Sequence, residues 1–110
     1  MSDPITELQI EDITVGEGTE CPVGATVEVH YKGQLMDGTV FDSSYDRGES
    51  INFPLGNLIQ GWQEGIPGMK IGGKRKLTIP YALGYGEHGA GGAIPPRADL
   101  IFEIELLGVS

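Results

Sequence analysis

Alternation of apolar and polar side chains marks most of this chain as strand, and one segment breaks the alternation. From Thr26 onward, Val27, Val29 and Tyr31 fall on one face while Glu28, His30 and Lys32 fall on the other, the period of a half-buried strand. Asp37-Gly38 then supplies residues that tolerate positive φ in a tight turn, and Thr39-Val40-Phe41 returns, so a hairpin is predicted. Leu8 and Ile10 open an N-terminal strand, Leu77 and Ile79 mark another, and Phe102, Ile104 and Leu106 alternate with Glu103 and Glu105. Four or five antiparallel strands are expected. Between Asn57 and Ile66 the apolar residues Leu58, Ile59, Trp62 and Ile66 adopt the spacing of one helical face, with Asn57 as N-cap and Pro67-Gly68 as the stop. With Gly61 and Gly65 inside, a helix of about ten residues is marginal alone and has to be held by packing. The expected fold class is therefore α+β, a twisted antiparallel sheet wrapped around one short α-helix that carries Trp62.

Length sets the domain count: 110 residues make one domain, residues 1–110. Eighteen glycines and seven prolines add sharp corners between short strands rather than low complexity, because the alternation persists among them. A formal charge of −9 disfavours phosphate backbones and anionic membrane surfaces, which argues against nucleic acid as a partner. Lys74-Arg75-Lys76, the densest basic cluster, reads as the solvated entry to a strand. No apolar run approaches the ~20 residues of a membrane span, and Met1-Ser2-Asp3-Pro4 has neither the basic nor the apolar region of a signal peptide, so a cytoplasmic location is expected. Cys21 is alone, which fits a reducing compartment and a small buried side chain.

Conventional sites fare poorly. Gly84-Tyr85-Gly86-Glu87-His88-Gly89 matches the dinucleotide fingerprint in letters, but Gly91, Gly92, Pro95 and Pro96 follow at once and leave no helix to aim at a pyrophosphate. Asp42, Asp46 and Gly48 lack the third ligand and closing Glu of a calcium loop, and two histidines with one cysteine do not fill a zinc site. His30 and His88 read as surface or hydrogen-bonding histidines, and no metal or other cofactor is expected. Ser43 or Ser44, His30 and Asp42 could be drawn as a triad, yet no nucleophile elbow supports it, and a Ser pair after a strand commonly satisfies turn backbone groups. What remains is aromatic: Tyr31, Phe41, Phe53, Trp62 and Phe102 would each serve as plain core, but with Tyr85 in the glycine-rich loop they suggest a pocket that needs no acid, base, metal or nucleotide.

Across nearly its whole length the chain resembles the FKBP-type peptidyl-prolyl cis/trans isomerases, through VHYKGQL, DGTVFDSS, LGNLIQGWQEGIPGM, GYGEHG, AIPPRADL and FEIELL. The resemblance implies a half-barrel around one short helix, isomerase activity on X-Pro bonds of peptides and folding proteins, and binding of tacrolimus- and rapamycin-type macrolides by a monomer. It makes Tyr31, Phe41, Asp42, Ile94 and Phe102 pocket walls, with Trp62 as the floor beneath the substrate proline and Leu58 and Ile59 at the helix entry. It also gives the Ile59 N–H and the Tyr85 hydroxyl as donors to ligand carbonyls, and Arg47 as the partner that holds Asp42. The chain departs from the common pattern at Ile51, where many members carry an aromatic, at Ala90, where a His is common, and at Ala93, where a larger aliphatic often sits. These departures alter the pocket rim, so a module that binds proline-containing segments or hydrophobic ligands without useful turnover is the alternative expectation.

Overall fold

The strands predicted from alternation assemble into one antiparallel sheet in a computed structural model that describes residues 7–90 and 94–110. Among these residues the strands are β1 (Gln9–Thr14), β2 (Thr26–Leu35), β3 (Val40–Ser43), β4 (Ile51–Pro54), β5 (Lys74–Ile79) and β6 (Leu100–Val109), with helices α1 (Ser44–Arg47) and α2 (Gln60–Gly65). The sheet order is β1-β5-β6-β2-β3, and β4 also pairs with β2. The α+β class is as expected, but the sheet has six strands rather than four or five. The added one, β4, is a four-residue strand ending in proline, too short for its Ile51/Phe53 alternation to stand out.

The hairpin forms as the sequence predicts. Gly38 takes φ +94°, its N–H donates to the Leu35 carbonyl at 2.9 Å, and the Asp37 carboxylate accepts the Thr39 N–H at 2.9 Å. Val27, Val29 and Tyr31 are buried while Glu28, His30 and Lys32 are half-buried, so the period of β2 is that of the sequence. β6 runs between β2 and β5 and buries Leu100, Phe102, Ile104 and Leu106, and β5 adds Leu77 and Ile79 to the same face. Trp62 and Ile66 complete this core from the helix side.

The helix differs from its predicted bounds. Asn57 does not cap it; it ends a 3-10 turn, Leu55–Asn57, and Leu58 and Ile59 are extended before α2 begins at Gln60, with no side-chain cap. The Gln63 side chain donates instead to the Leu58 carbonyl at 2.7 Å, tying that extended stretch to the helix. A single turn, α1, is a second helix that hydrophobic spacing could not signal, because SYDR has no apolar period. Ser43 caps it by accepting the Asp46 N–H, and Gly48 closes it in the left-handed region at φ +71°.

The helical glycines are what allow α2 to lie on the sheet. A Cβ on Gly61 would sit 2.6 Å from the Ile79 side chain, and one on Gly65 2.6 Å from that of Leu77. Arg75 corrects the reading of the basic cluster as solvated. Its side chain is only 12% exposed, and it donates to the Gly65 carbonyl at 2.9 Å, to the Pro67 carbonyl at 3.3 Å and to Asp12 at 2.7 Å. A cation thus meets the carbonyl end of α2, where the helix dipole favours it, and fastens β1 to the same point. Cys21 is buried. No helix among the described residues is long and apolar enough to cross a membrane.

Candidate functional site

Between residues of β2, β3 and β6 and Trp62 of α2, the sheet leaves a cavity of about 220 Å³. That is below the usual ~300–1,000 Å³ of pockets for drug-sized ligands, and suits a small ring with its flanking carbonyls. Its floor is aromatic. The Trp62 and Phe102 ring centroids lie 5.2 Å apart at 88°, Tyr31 and Trp62 5.3 Å apart at 76°, and Phe41 and Phe102 5.6 Å apart at 89°. These edge-to-face contacts lock one another's orientation. Gly33 makes them possible: it pairs with Phe102 across β2 and β6, and a Cβ there would lie 2.6 Å from Phe102 and 2.7 Å from Phe41. The buried Trp62 Nε1 has no hydrogen-bond partner among the described residues, and contacts with Tyr31 and Phe102 orient the indole.

One wall is polar. The Tyr31 hydroxyl donates to Asp42, and Arg47, carried by α1, donates to Asp42 and, at 3.0 Å, to the Tyr31 hydroxyl. Burial pushes the Asp42 carboxyl up, but the Tyr31 and Arg47 donors outweigh it and hold it below the usual carboxylate range. Tyr31 is displaced the other way, first by burial and then by Asp42. Asp42 is therefore an ionised acceptor whose partners are already in place, not a free base.

The other wall is apolar, from Ile51 and Phe53 on β4 and from Leu58 and Ile59 ahead of the helix. Two donors on this lining are unengaged. The Ile59 N–H meets no backbone acceptor, and the Tyr85 hydroxyl meets no hydrogen-bond partner, among the described residues. Burial, with the Asp42 charge adding to it, pushes the Tyr85 phenol up and keeps it a neutral donor.

Tyr31, Phe41, Asp42, Ile51, Leu58, Ile59, Trp62, Tyr85 and Phe102 thus meet around one cavity. Three of the residues expected beside them stand apart. Arg47 lies behind Asp42 and acts through it. Ile94 is 6% exposed, bridges to Ala90 by reciprocal backbone hydrogen bonds and packs into the core rather than lining the cavity. Ala93 lies outside the described residues. Phe53, which the resemblance did not place in the site, also lines the cavity; its place two residues after Ile51 on one face of β4 is the signal that finds it.

The discarded motifs also have locations. The glycine-rich segment follows a 3-10 turn at Tyr81–Leu83 and continues as turns, with Gly86 and Gly89 at φ +72°, so no helix N-terminus faces a phosphate. Ser44 does contact His30, its Oγ lying 2.9 Å from Nδ1, but it is fully buried, and Asp42 is committed to Tyr31 and Arg47. That is not the geometry of a nucleophile.

Comparison with known proteins places this geometry among relatives. Residues 18–107 match the family model described as FKBP-type peptidyl-prolyl cis-trans isomerase. The chain is 58% identical over 104 residues to an FK506-binding protein of Neisseria meningitidis serogroup B, covering 93% of this chain and 95% of the relative. It is 49% identical over 108 residues to the peptidyl-prolyl cis-trans isomerase FPR2 of Saccharomyces cerevisiae, covering 96% of this chain and 77% of that one. Among solved structures, the crystal structure of AtFKBP13 superposes with a TM-score of 0.85 at 42% identity, covering 94% of this chain and 93% of that one.

Proposed function

This chain belongs to the FKBP-type peptidyl-prolyl cis-trans isomerase family, and we propose that it accelerates X-Pro rotation by seating the prolyl ring on Trp62 within the cavity described above. The observation that carries this reading is the pairing of an aromatic floor with two unengaged donors, the Ile59 N–H and the Tyr85 hydroxyl, on the same lining. Amide resonance sets a barrier of ~18–20 kcal/mol to rotation, and that resonance is lost at the twisted transition state. The carbonyl is then less polar and the imide nitrogen more basic than in the ground state. A cavity walled by rings penalises the planar, polar form more than the twisted one, which is differential binding without proton transfer.

An acceleration of about 10⁵ asks for roughly 7 kcal/mol from this desolvation, the strain of a turn-like bound conformer and the two donor contacts. Tyr31, Phe41, Asp42, Trp62, Tyr85 and Phe102 form the reacting environment in this reading. Arg47 holds Asp42, Ile51, Leu58, Ile59 and Ala93 shape the substrate and inhibitor site, and Ile94 supports that site from the core. Asp42 also presents its ionised oxygens to the rotating carbonyl, beyond its bonds to Tyr31 and Arg47.

The ligands follow from the same chemistry: proline-containing peptides, unfolded or folding proteins, and tacrolimus- or rapamycin-type macrolides whose ring occupies the prolyl position. No cofactor, nucleic acid or membrane enters the reaction. We place the activity in the cytoplasm and in a monomer, with residues 1–110 forming one isomerase domain. NMR exchange between cis and trans forms of a short Leu-Pro peptide, with and without protein, tests the proposal. Exchange accelerated by catalytic amounts of protein and suppressed competitively by tacrolimus is the expected result. Saturable binding of the peptide without faster exchange would establish a binding module instead.

A further inference from the structure

The hydrogen-bond ladder along β2 has a gap beneath the polar wall. On the side away from β6, β2 pairs with β4 from Thr26 to Val29 and with β3 from Lys32 to Gln34, leaving Tyr31 opposite neither. Ser44 fills the gap: its Oγ accepts the Tyr31 N–H at 2.7 Å and lies 3.2 Å from the Tyr31 carbonyl as donor. One hydroxyl serves both backbone groups, as a residue of a neighbouring strand does elsewhere in the sheet. Ser44 is fully buried, so water offers no substitute.

The third contact of this hydroxyl, His30 Nδ1 at 2.9 Å, decides whether the arrangement closes. A serine hydroxyl has one proton and two lone pairs, and the Tyr31 N–H takes one lone pair. If Nδ1 is bare, the proton must go to it and the Tyr31 carbonyl loses its donor. If Nδ1 carries hydrogen, it fills the second lone pair, the proton turns to the Tyr31 carbonyl, and all three contacts are satisfied. We propose that Ser44 is a positioning residue for the Tyr31–Asp42–Arg47 wall and that His30 holds it in that role as an Nδ1–H donor.

The placement makes this consequential. Asp42 lies two residues before Ser44 and Arg47 three after it, so one buried hydroxyl links the strand end, the start of α1 and the strand that carries Tyr31. The His30 ring is itself fixed, stacked on Tyr45 at 4.8 Å and 17°. Glu105, its cross-strand partner, accepts the Tyr45 hydroxyl at 3.1 Å, Lys74 approaches the Tyr45 ring at 5.7 Å, and Glu28 and Lys32 flank His30 on its own strand. Protonation of the ring therefore adds a hydrogen at Nε2 and leaves the Nδ1–H bond as it was.

The effect on turnover rests on the isomerase reading, but the hydrogen-bond assignment does not. Long-range ¹H–¹⁵N spectra of the uniformly labelled protein, recorded in alkaline buffer, should show the neutral Nδ1–H tautomer of His30; the Nε2–H tautomer would overturn the proposal. Kinetically, Ser44→Ala and His30→Phe should each lower kcat/KM about two- to tenfold, the worth of one buried hydrogen bond, at a temperature where circular dichroism shows both folded. The double variant should be no slower than Ser44→Ala, and His30→Asn, whose amide NH₂ can take the Nδ1 position, should recover most of the His30→Phe loss. Additive losses, or no recovery with Asn, would overturn the proposal. If the unmodified protein turned over no X-Pro peptide, the isomerase reading would fail while the tautomer spectrum still decided the assignment.

Discussion

Individual side chains in the cavity divide by what each donor or charge is already doing. Tyr85 has a hydroxyl with no engagement among the described residues, so Tyr85→Phe should cost turnover the equivalent of one hydrogen bond, ~0.5–1.5 kcal/mol or about two- to tenfold in kcat/KM, with little change in stability. Asp42 is the opposite case, because its donors are internal. Its carboxyl is held below its unfolded value, so it stabilises the fold above pH about 4, and that contribution is lost as pH falls through the lower folded value. Urea midpoints should therefore show Asp42→Asn less stable than the parent at neutral pH, with the gap narrowing in acid. Between about pH 5.5 and 8.5 neither Asp42 nor the cavity tyrosines titrate, so turnover of a non-titrating peptide should be nearly flat, and His88→Gln, at an exposed position, should be silent. A bell-shaped profile abolished by a His substitution would overturn the resonance-loss mechanism. Residue types made most of this lining legible, since Tyr31, Phe41 and Trp62 fall on faces that alternation or helical spacing predicts. The Ser44 contact to Tyr31 was not legible, because a buried hydroxyl bridging a gap in a ladder leaves no periodic trace.

Strands and helices were legible in proportion to how many alternating positions they offered. The ten-residue strands β2 and β6 declare themselves, while β4 and α1, four residues each, do not. The start of α2 was misjudged for a different reason. Leu58 and Ile59 continue the helical spacing because they face the same interior as Trp62, yet their backbone is extended. Burial writes the apolar pattern whatever the backbone does. Gly61 and Gly65 weaken an isolated helix, and Ala there would raise helix propensity by up to ~1 kcal/mol per site. The contacts at Ile79 and Leu77 reverse that sign, since a methyl must displace a packed side chain, which typically costs about 1–3 kcal/mol. Gly61→Ala should thus lower the urea midpoint, whereas Gly56→Ala, where a Cβ meets nothing within 4 Å, should not. Equal effects at the two positions would show that the helix does not rest on β5 as closely as described.

For the molecule as a whole, sixteen acidic residues against seven basic ones set a negative field, and Arg47 and Arg75 are each already paired with a carboxylate. Peptides with Leu or Phe before Pro should turn over faster than those with Glu, and added salt should narrow the difference, because screening weakens the repulsion but not the apolar contact. Equal rates for Leu-Pro and Glu-Pro at low salt would show that neither the rim nor the charge selects. One feature of the topology reaches beyond the finished structure. β6, the latest strand in the chain, lies in the middle of the sheet, between β2 and β5, and it brings Phe102 into the cavity. During synthesis, then, a nascent chain that has already exposed Tyr31, Trp62 and Tyr85 still lacks both the strand that joins the two halves of its sheet and one ring of the cavity. Domains commonly fold as units during synthesis, and here the unit closes last. Ribosome-stalled chains ending before Leu100 should accordingly remain protease-sensitive and should not retain tacrolimus, and both properties should appear together once Val109 has left the tunnel.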